Sequence, residues 1–323
     1  MKNKKLLYIG ARAFVLNKIL ELGMQVQALI LKGTFASKEL SLKGIPFTEF
    51  SQREELLRQI ENIEFDILIS CGCPFILPVS QIKKSSQVFV NIHPSLLPNL
   101  KGKSPINGAV LFNLPIGVTC HEMNDNIDGG RIISQIKIKT SKNMSLGLIY
   151  RIVFKAEIRV FIMALYRNFK PDKKNRHQNI LVEYYSKKED DKLIDFTLSN
   201  SQILNTVMAF STLTQQSFFI HKNHKYKVFS ASIIKNKNIN LLFKDYNNLC
   251  IVLKYDNSIL VKKDNEFLEL TSTQEEFISL EEGCELNAPS FSNDLYFKRS
   301  YANLYLKNNE EYNIGRKFKK TVM

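Results

Sequence analysis

The sequence predicts an α/β protein: a Rossmann-like, mostly parallel sheet with flanking helices, followed by a smaller β-rich, barrel-like domain. Over residues 1–90, short apolar runs alternate with segments whose apolar residues recur at helical spacing. This order is typical of parallel strands joined by helices. From residue 217 onward, short β segments such as QSFFIH, SILVKKD and EFLELTST follow one another, separated by turns rich in Asn, Asp and Lys. They indicate a second, β-rich domain.

The N-terminal elements follow from local signals, taken in chain order. The runs KLLYIG, VQALIL, FDILISCG and VFVNIH predict four strands. Between them, AFVLNKILELG predicts a helix that stops at Gly23, SQREELLRQIEN a helix capped by Ser51 with Glu54 in capping-box position, and PVSQIKKS a short helix. PINGAVLFN then predicts a helix, IGVTCHEM and RIISQIKI two strands, and residues 145–168 a long amphipathic helix capped by Ser145.

A polar, basic, proline-containing stretch, FKPDKKNRHQNI at residues 169–180, separates the two parts of the chain. Such a composition favours a linker. We therefore expect one domain at 1–170, a linker at 171–182 and the β-rich domain at 183–323. A charged turn and a helix are expected to open the second domain, and its last 30 or so residues are expected to be a peripheral tail.

Composition excludes several classes of protein. The chain has 323 residues, 44% of them hydrophobic, which is enough for two domains with real cores. It contains no apolar stretch of about 18 residues, and its N-terminus lacks a cleavage site, so we expect no membrane span and a cytoplasmic location. Five cysteines, an odd number, and a CGC pair too close for a zinc knuckle predict free thiols and no metal site.

The chain is strongly basic, with a formal net charge of +14. This charge favours an anionic partner: nucleic acid, a nucleotide-linked substrate or a membrane surface. Lysine and asparagine are abundant along the whole chain, however, so a compositional drift shared by every segment accounts for the charge equally well. Charge alone therefore does not identify the partner.

Polar side chains end one of the predicted buried strands. In VFVNIH, Asn91 and His93 lie two residues apart and share one face, because side chains alternate along a strand. They stand at the carboxyl end of the strand, the edge of an open α/β sheet where ligands bind. Asp128 follows another strand in DNIDGG, and we expect it to reach His93, orient its ring and raise its pKa. Stabilising local loops is the alternative role for these side chains.

The side chains of Asn91, His93 and Asp128 together suit acyl transfer to an amine. An Asn amide or an imidazolium donates to the oxyanion of a tetrahedral intermediate, and a His–Asp pair relays the proton from attacking to leaving amine. No serine or cysteine is placed as a nucleophile beside a base, so direct transfer is expected instead of a covalent intermediate.

A classical dinucleotide site is disfavoured, because the first strand is followed by a lone Gly10 and not by a GxGxxG motif.

At these residues the chain resembles a known family. NIHPSLLPNLKGKSPINGAV, followed by GVTCHEMNDNIDGGRII, is similar to the formyltransferases that use N10-formyltetrahydrofolate. The resemblance is strongest over residues 60–140, and it implies that Asn91, His93 and Asp128 are catalytic. It also implies that the folate lies along SCGCPFILP and is enclosed by the loop 124–130. The implied folate contacts are Phe75, Ile76, Leu77, Asn124 and Ile127.

Within that family, the acceptor is an amino sugar linked to a nucleotide, methionyl-tRNA or glycinamide ribonucleotide. The last group has a single domain, so this chain is too long for it. Two segments, YIGARAF and HEMNDNIDGG, depart from the pattern of the tRNA enzymes, and a histidine at position 121 (His121) is a feature that resembles the sugar enzymes. A β-rich C-terminal domain, however, is also found in the tRNA enzymes. We therefore expect a sugar nucleotide as substrate, within polysaccharide biosynthesis such as that of O antigen. The candidate substrate contacts are Arg12, Ser95, Lys103 and His121.

Three alternatives stay open at this point. The first is a methionyl-tRNA formyltransferase. The second is a non-catalytic module of the same fold that binds folate or a nucleotide, and the third is an enzyme that hydrolyses the formyl donor. A homodimer is also plausible, formed through a sheet edge or the C-terminal region. The identity of the sugar and the position of its amine do not follow from the sequence.

Overall fold

The computed structural model describes residues 4–141, 144–172 and 184–286, together with the backbone of 306–307 and 310–311. Seven N-terminal strands form one sheet: β1 (Leu6–Gly10), β2 (Val26–Leu31), β3 (Thr48–Phe50), β4 (Ile67–Cys71), β5 (Val88–His93), β6 (Ile116–Glu122) and β7 (Ile132–Ile138). Their order is β3-β2-β1-β4-β5-β6-β7. The first five are parallel, while β6 and β7 run antiparallel to their neighbours. The mostly parallel sheet is thus confirmed.

Helices cover both faces of this sheet. They are α1 (Phe14–Glu21), α2 (Phe35–Leu42), α3 (Arg53–Glu61), α4 (Val79–Ile82), α5 (Pro105–Leu111) and α6 (Leu146–Tyr166). Apolar side chains of α1, α2, α5 and α6 join the core on one face, and those of α3 and α4 join the core on the other. The sequence did not predict α2 or β3, since neither carries a clear apolar period. Ser145 caps α6 as expected, because its side chain accepts from the backbone N–H of Leu148.

The predicted capping box of α3 is wrong. The helix begins at Arg53, and its N-cap is Gln52, which makes no side-chain cap bond. Ser51 lies one residue further out, where its backbone N–H and hydroxyl both donate to Glu55 Oε2, at 2.7 and 3.0 Å. The acidic partner is therefore one residue later than the box pattern requires.

The C-terminal region is β-rich and has its own cores. It contains α7 (Asn200–Ala209), β8 (Ser217–His221), β9 (His224–Val228), β10 (Ser230–Ile234), α8 (Lys237–Leu242), β11 (Ile251–Tyr255), β12 (Ser258–Lys263) and β13 (Glu266–Thr271). Strands β10-β13-β12-β11 form an antiparallel sheet, and β8 and β9 form a hairpin. Near the end of the chain, β14 (Leu306–Lys307) pairs with β15 (Glu310–Glu311). Most of the predicted linker and tail lies outside the described residues.

Part of the chain beyond the predicted linker packs into the first core. The side chains of Tyr185, Ala209 and Phe210 belong to the N-terminal hydrophobic cluster. Asn107, buried on α5, donates to the backbone oxygen of Ala209 at 2.7 Å and to Gln215 Oε1 at 3.0 Å. The region after the linker is therefore attached to the stretch of chain that follows β5. Within the described ranges, no helix combines the length and apolar character that a membrane span needs.

Candidate active site

A cavity of about 310 Å³ opens at the carboxyl edge of β4 and β5. Asn91 and His93 reach it from β5, on the same face as the buried Phe89. Strand β6 runs antiparallel beside β5 and places His121 directly opposite Asn91. The loop between β6 and β7 brings Asp128 to the same point. The strand alternation and the antiparallel pairing together bring four polar side chains to one place.

Asp128 is the centre of this cluster. Its Oδ1 accepts from Asn91 Nδ2 at 3.1 Å, and its Oδ2 accepts from the backbone N–H of Gly102 at 2.9 Å. His93 Nδ1 lies 3.5 Å from Oδ2, and His121 Nε2 lies 3.4 Å from Oδ1. One carboxylate thus contacts two imidazoles, an amide and a backbone N–H.

The second glycine of the DGG sequence makes this loop possible. A Cβ on Gly130 would lie 1.8 Å from the backbone oxygen of Glu122, a distance that no side chain tolerates. Asp128 itself has a positive φ of 46°, a conformation that costs an Asp less than it costs most residues. The glycine therefore serves close backbone approach to the end of β6, and this approach carries Asp128 toward β5.

Both imidazoles are oriented by a backbone carbonyl. His93 Nε2 lies 2.9 Å from the oxygen of Leu100, and His121 Nδ1 lies 2.7 Å from the oxygen of Glu122. Because a carbonyl oxygen only accepts, each ring must donate an N–H there. The other nitrogen of the His93 ring, Nδ1, faces Asp128 and is unprotonated when the ring is neutral. A proton taken up at that nitrogen is stabilised by the carboxylate charge.

Burial determines the protonation state of His93. Removal from water lowers the pKa of His93 below its ordinary 6.5, and this effect outweighs the opposing attraction of Asp128. The expected rise of the His93 pKa is therefore wrong in sign: the imidazole is neutral at pH 7. The charged or titratable groups that face it are Asp128, His121 and Arg12.

Asp128 remains ionised although it is enclosed. Burial alone would raise the pKa of its carboxyl group, but the nearby imidazoles of His93 and His121 and the backbone N–H of Gly102 hold that pKa well below the usual range. The cluster at neutral pH therefore combines a fixed negative charge with a neutral imidazole. Such a pair takes up one proton without creating an isolated charge.

Arg12 reaches the cavity from the loop after β1. Its Nη2 and Nε lie 2.7 and 3.0 Å from the two carboxylate oxygens of Glu157 on α6, and its guanidinium stacks 4.8 Å from the ring centre of Phe154. A Cβ on Gly72, whose φ is +75°, would be strained and would lie 2.4 Å from Arg12 Nη1, so a side chain at this position after β4 would have to displace the guanidinium. Arg12 is thus held in a fixed place at the cavity wall.

Glu157 was missed in the sequence, where residues 145–168 were explained as a helix packed on the sheet. The side chain is fully buried and belongs to the apolar stripe of α6, with Ile149, Val153 and Phe161 at intervals of four residues. A charged residue in the middle of such a stripe was the available signal, since an acid is almost never fully buried without a partner.

The predicted folate contacts line the cavity together. Phe75, Ile76 and Leu77 form an apolar wall after β4, while Asn124 and Ile127 contribute from the loop before β7. The Asn124 side chain accepts from the backbone N–H of Asn126 at 3.0 Å, which shapes that loop. An apolar slot with polar groups at its base fits a flat heteroaromatic ligand.

The four predicted substrate contacts do not all lie at the cavity. Arg12, Lys103 and His121 line it, whereas Ser95 does not. The Ser95 side chain is buried and donates to the backbone oxygen of Asn99 at 2.9 Å. Its hydroxyl therefore stabilises the turn after β5 instead of facing a ligand.

The residues that the structure describes contain no candidate metal centre. They contain no group of three or more His, Cys, Asp and Glu side chains arranged to hold an ion. Burial raises the pKa of the Cys71 thiol to about 12 and that of the Cys73 thiol to about 11. These two thiols near the cavity are therefore protonated at neutral pH and are poor nucleophiles.

The fold and the site define an α/β enzyme with an Asn–His–Asp cluster at the carboxyl edge of its sheet. Comparison with known families identifies it further. The formyl transferase family matches residues 18–165, and the formyl transferase C-terminal domain matches residues 187–286. The chain belongs to the formyltransferase family.

The chain is similar to three proteins that carry the names of formyltransferases. The methionyl-tRNA formyltransferase of Buchnera aphidicola is 28% identical over 243 residues, which are 71% of this chain and 76% of that protein. An N-formyltransferase from Helicobacter canadensis, solved with folinic acid and dTDP-3-aminofucose, has a TM-score of 0.62 and 18% identity over 83% of this chain and 98% of its own. A 4-N formyltransferase from Francisella tularensis has a TM-score of 0.59 and 20% identity over 71% and 97%.

Proposed function

We propose that this enzyme moves a formyl group from N10-formyltetrahydrofolate to the amine of a nucleotide-linked amino sugar. The observation that carries the proposal is the cluster of Asn91, His93 and Asp128, joined by contacts of 3.1 and 3.5 Å at the base of one cavity. A hydrogen-bond donor, a neutral base and a fixed carboxylate are the groups that formyl transfer between two amines requires.

The folate fits the residues present. Phe75, Ile76 and Leu77 line the same cavity as Asn124 and Ile127, so a pterin ring bound there would contact both sets of residues. When bound, the folate supplies the formyl carbon. The Helicobacter canadensis enzyme, which shares this fold, was solved with folinic acid, a formylated folate, and this supports the assignment.

Each polar side chain then has a role. One of the two Asn91 amide N–H groups would leave Asp128 or His121 and donate to the formyl oxygen as negative charge develops there. His93 would accept the proton of the attacking amine at Nδ1, beside Asp128, because its other nitrogen already donates to Leu100. Asp128 would stabilise the imidazolium until the proton is returned to the departing nitrogen.

The distribution of charge favours a sugar nucleotide over tRNA. Residues 184–323, the β-rich region with its tail, contain 19 Lys and Arg against 17 Asp and Glu, a net charge of +2. Residues 1–183 contain 26 against 14, a net charge of +12. The idea that every segment shares the basic bias is therefore wrong. A β-rich domain with this balance offers few partners to a phosphate backbone, which dominates nucleic-acid affinity.

Cationic groups at the cavity suit a pyrophosphate instead. Arg12 and Lys103 both line it, and Arg12 is anchored by Glu157 on its far side. A diphosphate between nucleoside and sugar carries the charge that these side chains attract. Methionyl-tRNA remains the second candidate, favoured by the similarity to the Buchnera aphidicola enzyme. A cytoplasmic location and a homodimer stay predictions.

The test is formyl transfer from N10-formyltetrahydrofolate to a panel of UDP- and dTDP-linked amino sugars and to methionyl-tRNA, with release of tetrahydrofolate as the readout. We expect turnover with a sugar nucleotide and none with the tRNA. Asn91→Ala serves as the control for the site, with a loss of roughly 10²–10³ in kcat from removal of one oxyanion donor. Turnover of methionyl-tRNA alone would replace the proposed acceptor, and folate binding without any transfer would indicate a non-catalytic module.

A further inference from the structure

One short segment of backbone orients both members of the His–Asp pair. The carbonyl oxygen of Leu100 accepts from His93 Nε2 at 2.9 Å, and the N–H of Gly102 donates to Asp128 Oδ2, also at 2.9 Å. The two bonds lie on either side of a single residue, Lys101. A displacement of this segment would therefore move the imidazole and the carboxylate relative to each other.

The chain beyond the linker holds this segment from outside. The backbone N–H of Tyr185 donates to the oxygen of Lys101 at 2.9 Å, and Lys101 and Tyr184 form a parallel β-bridge. The Lys101 ammonium lies 4.9 Å from the ring centre of Tyr184. A segment that follows β5 by seven residues is thus paired with one more than 80 residues later in the chain.

The side chain of Tyr185 fixes the pairing. It is fully buried, its ring meets Phe112 edge to face with centres 5.5 Å apart, and its hydroxyl donates to Asp191 Oδ2 at 2.9 Å. A Cβ on Gly108 would lie 2.6 Å from Tyr185 Cδ1 and 2.9 Å from Leu100 Cδ2. The ring and Leu100 therefore both pack closely against the same glycine of α5.

We propose that Tyr185 is a positioning residue of the catalytic centre, which acts through the backbone of residues 100–102 on His93 and Asp128. In this role, the chain after the linker completes the geometry of the formyl-transfer site through Tyr184 and Tyr185. The kinetic consequences rest on the proposed function, while the geometric consequence for His93 does not.

The experiment compares Tyr185→Leu with Phe196→Leu in the full-length protein. Phe196 is an equally buried aromatic residue that packs against Phe219 in the second core, so it controls for loss of a large ring. The first readout is the titration of the His93 ring followed by NMR without substrate. Because burial is the main cause of its low pKa, we expect water to enter and the His93 pKa to rise in Tyr185→Leu, and to be unchanged in Phe196→Leu.

The second readout is steady-state kinetics with the acceptor that the panel identifies. Misplacement of reacting groups by about 1 Å costs up to roughly 100-fold, so we expect kcat of Tyr185→Leu to fall about 10- to 100-fold while KM for the folate stays within a few-fold. Gly108→Ala, which places a methyl group between Tyr185 and Leu100 without removing either, should shift the His93 titration in the same direction.

The outcomes separate the two proposals. If no acceptor is formylated by the wild-type enzyme, the proposed function fails, but the NMR titration still tests the positioning. If Tyr185→Leu and Gly108→Ala are folded and His93 titrates as in the wild type, Tyr185 has no positioning role. Equal shifts in Tyr185→Leu and Phe196→Leu would likewise overturn the proposal, because they would reflect general loosening. Should Tyr185→Leu not fold, Gly108→Ala alone decides the question by the same criterion.

Discussion

Two buried polar clusters lie on opposite faces of the same sheet, and they behave differently. One contains Asn91, His93, His121 and Asp128 and opens into the cavity. The other joins Glu157 to Arg12 and to the Cys71 thiol, which lies 3.3 Å from Glu157 Oε2. In the second cluster the charges are paired one to one, whereas in the first a single carboxylate is shared among several partners.

The difference shows what each arrangement does with a proton. The guanidinium of Arg12 stays protonated at neutral pH, so it neither takes up nor releases a proton. Burial raises the pKa of Glu157, and Arg12 opposes that rise. His93 is neutral and faces a carboxylate across 3.5 Å, so it is ready to accept a proton. We therefore assign proton transfer to the open cluster, and to the closed one structural support and the anchoring of Arg12 at the cavity wall. Each assignment can be tested by substitution.

Loss of the base should have the largest effect on catalysis. His93→Ala removes the group that accepts the proton of the amine, and general base catalysis is worth roughly 10²–10⁴ in rate. We expect kcat to fall by that factor, together with some loss of stability, because the buried Leu100 carbonyl loses its donor. A fall of less than about tenfold, measured by tetrahydrofolate release, would show that His93 is not the base.

The closed cluster should respond in stability instead. Glu157→Gln leaves the Arg12 guanidinium buried without a counter-charge, and breaking one side of such a pair costs about 3–5 kcal/mol. Chemical denaturation measures this loss in the free energy of unfolding. Glu39→Gln is the matched control, since Glu39 pairs with Lys43 at the surface, where an ion pair contributes about 1 kcal/mol or less.

Kinetics on the same variant complete the comparison. Because Arg12 lines the cavity but lies outside the Asn–His–Asp cluster, we expect Glu157→Gln to raise KM for the sugar nucleotide more than it lowers kcat. A large fall in kcat with unchanged KM would place Arg12 among the groups that act on the reacting atoms and would remove the distinction between the two clusters.

The sequence predicted the open cluster better than the closed one for a physical reason. Asn91 and His93 followed from strand alternation, and Asp128 from its two glycines, because these are local signals. The partners of Arg12 and of Lys101 lie far along the chain, at Glu157 and Tyr185, and no local pattern reports such a pairing. Ser95 was expected to contact the substrate, but it does not line the cavity, and its hydroxyl bonds within the turn after β5.

The pH dependence of activity tests the sign of the His93 shift. Since burial lowers the pKa of His93 below 6.5, the base stays neutral somewhat below that pH, and kcat/KM should be constant from pH 7 down past 6.5. At lower pH, activity should fall about tenfold per unit as the imidazole protonates. Stability should change in the same direction, because the unfolded chain binds more protons than the folded one between the folded pKa and 6.5. An activity loss that begins above pH 7 would instead indicate a raised pKa.

The smallest effect is expected at Ser95, and it separates a loop role from a ligand role. Ser95→Ala removes the part-buried hydrogen bond to the Asn99 carbonyl at 2.9 Å, at a cost of about 1 kcal/mol in unfolding free energy. Because the hydroxyl does not line the cavity, KM for the sugar nucleotide should stay within twofold. Lys103→Ala is the comparison, since Lys103 does line the cavity and loss of its charge should raise that KM several-fold. If Ser95→Ala raised KM as much as Lys103→Ala while stability was unchanged, the hydroxyl would have to turn toward the ligand in the bound enzyme, and the division between turn and cavity drawn from the free protein would not hold.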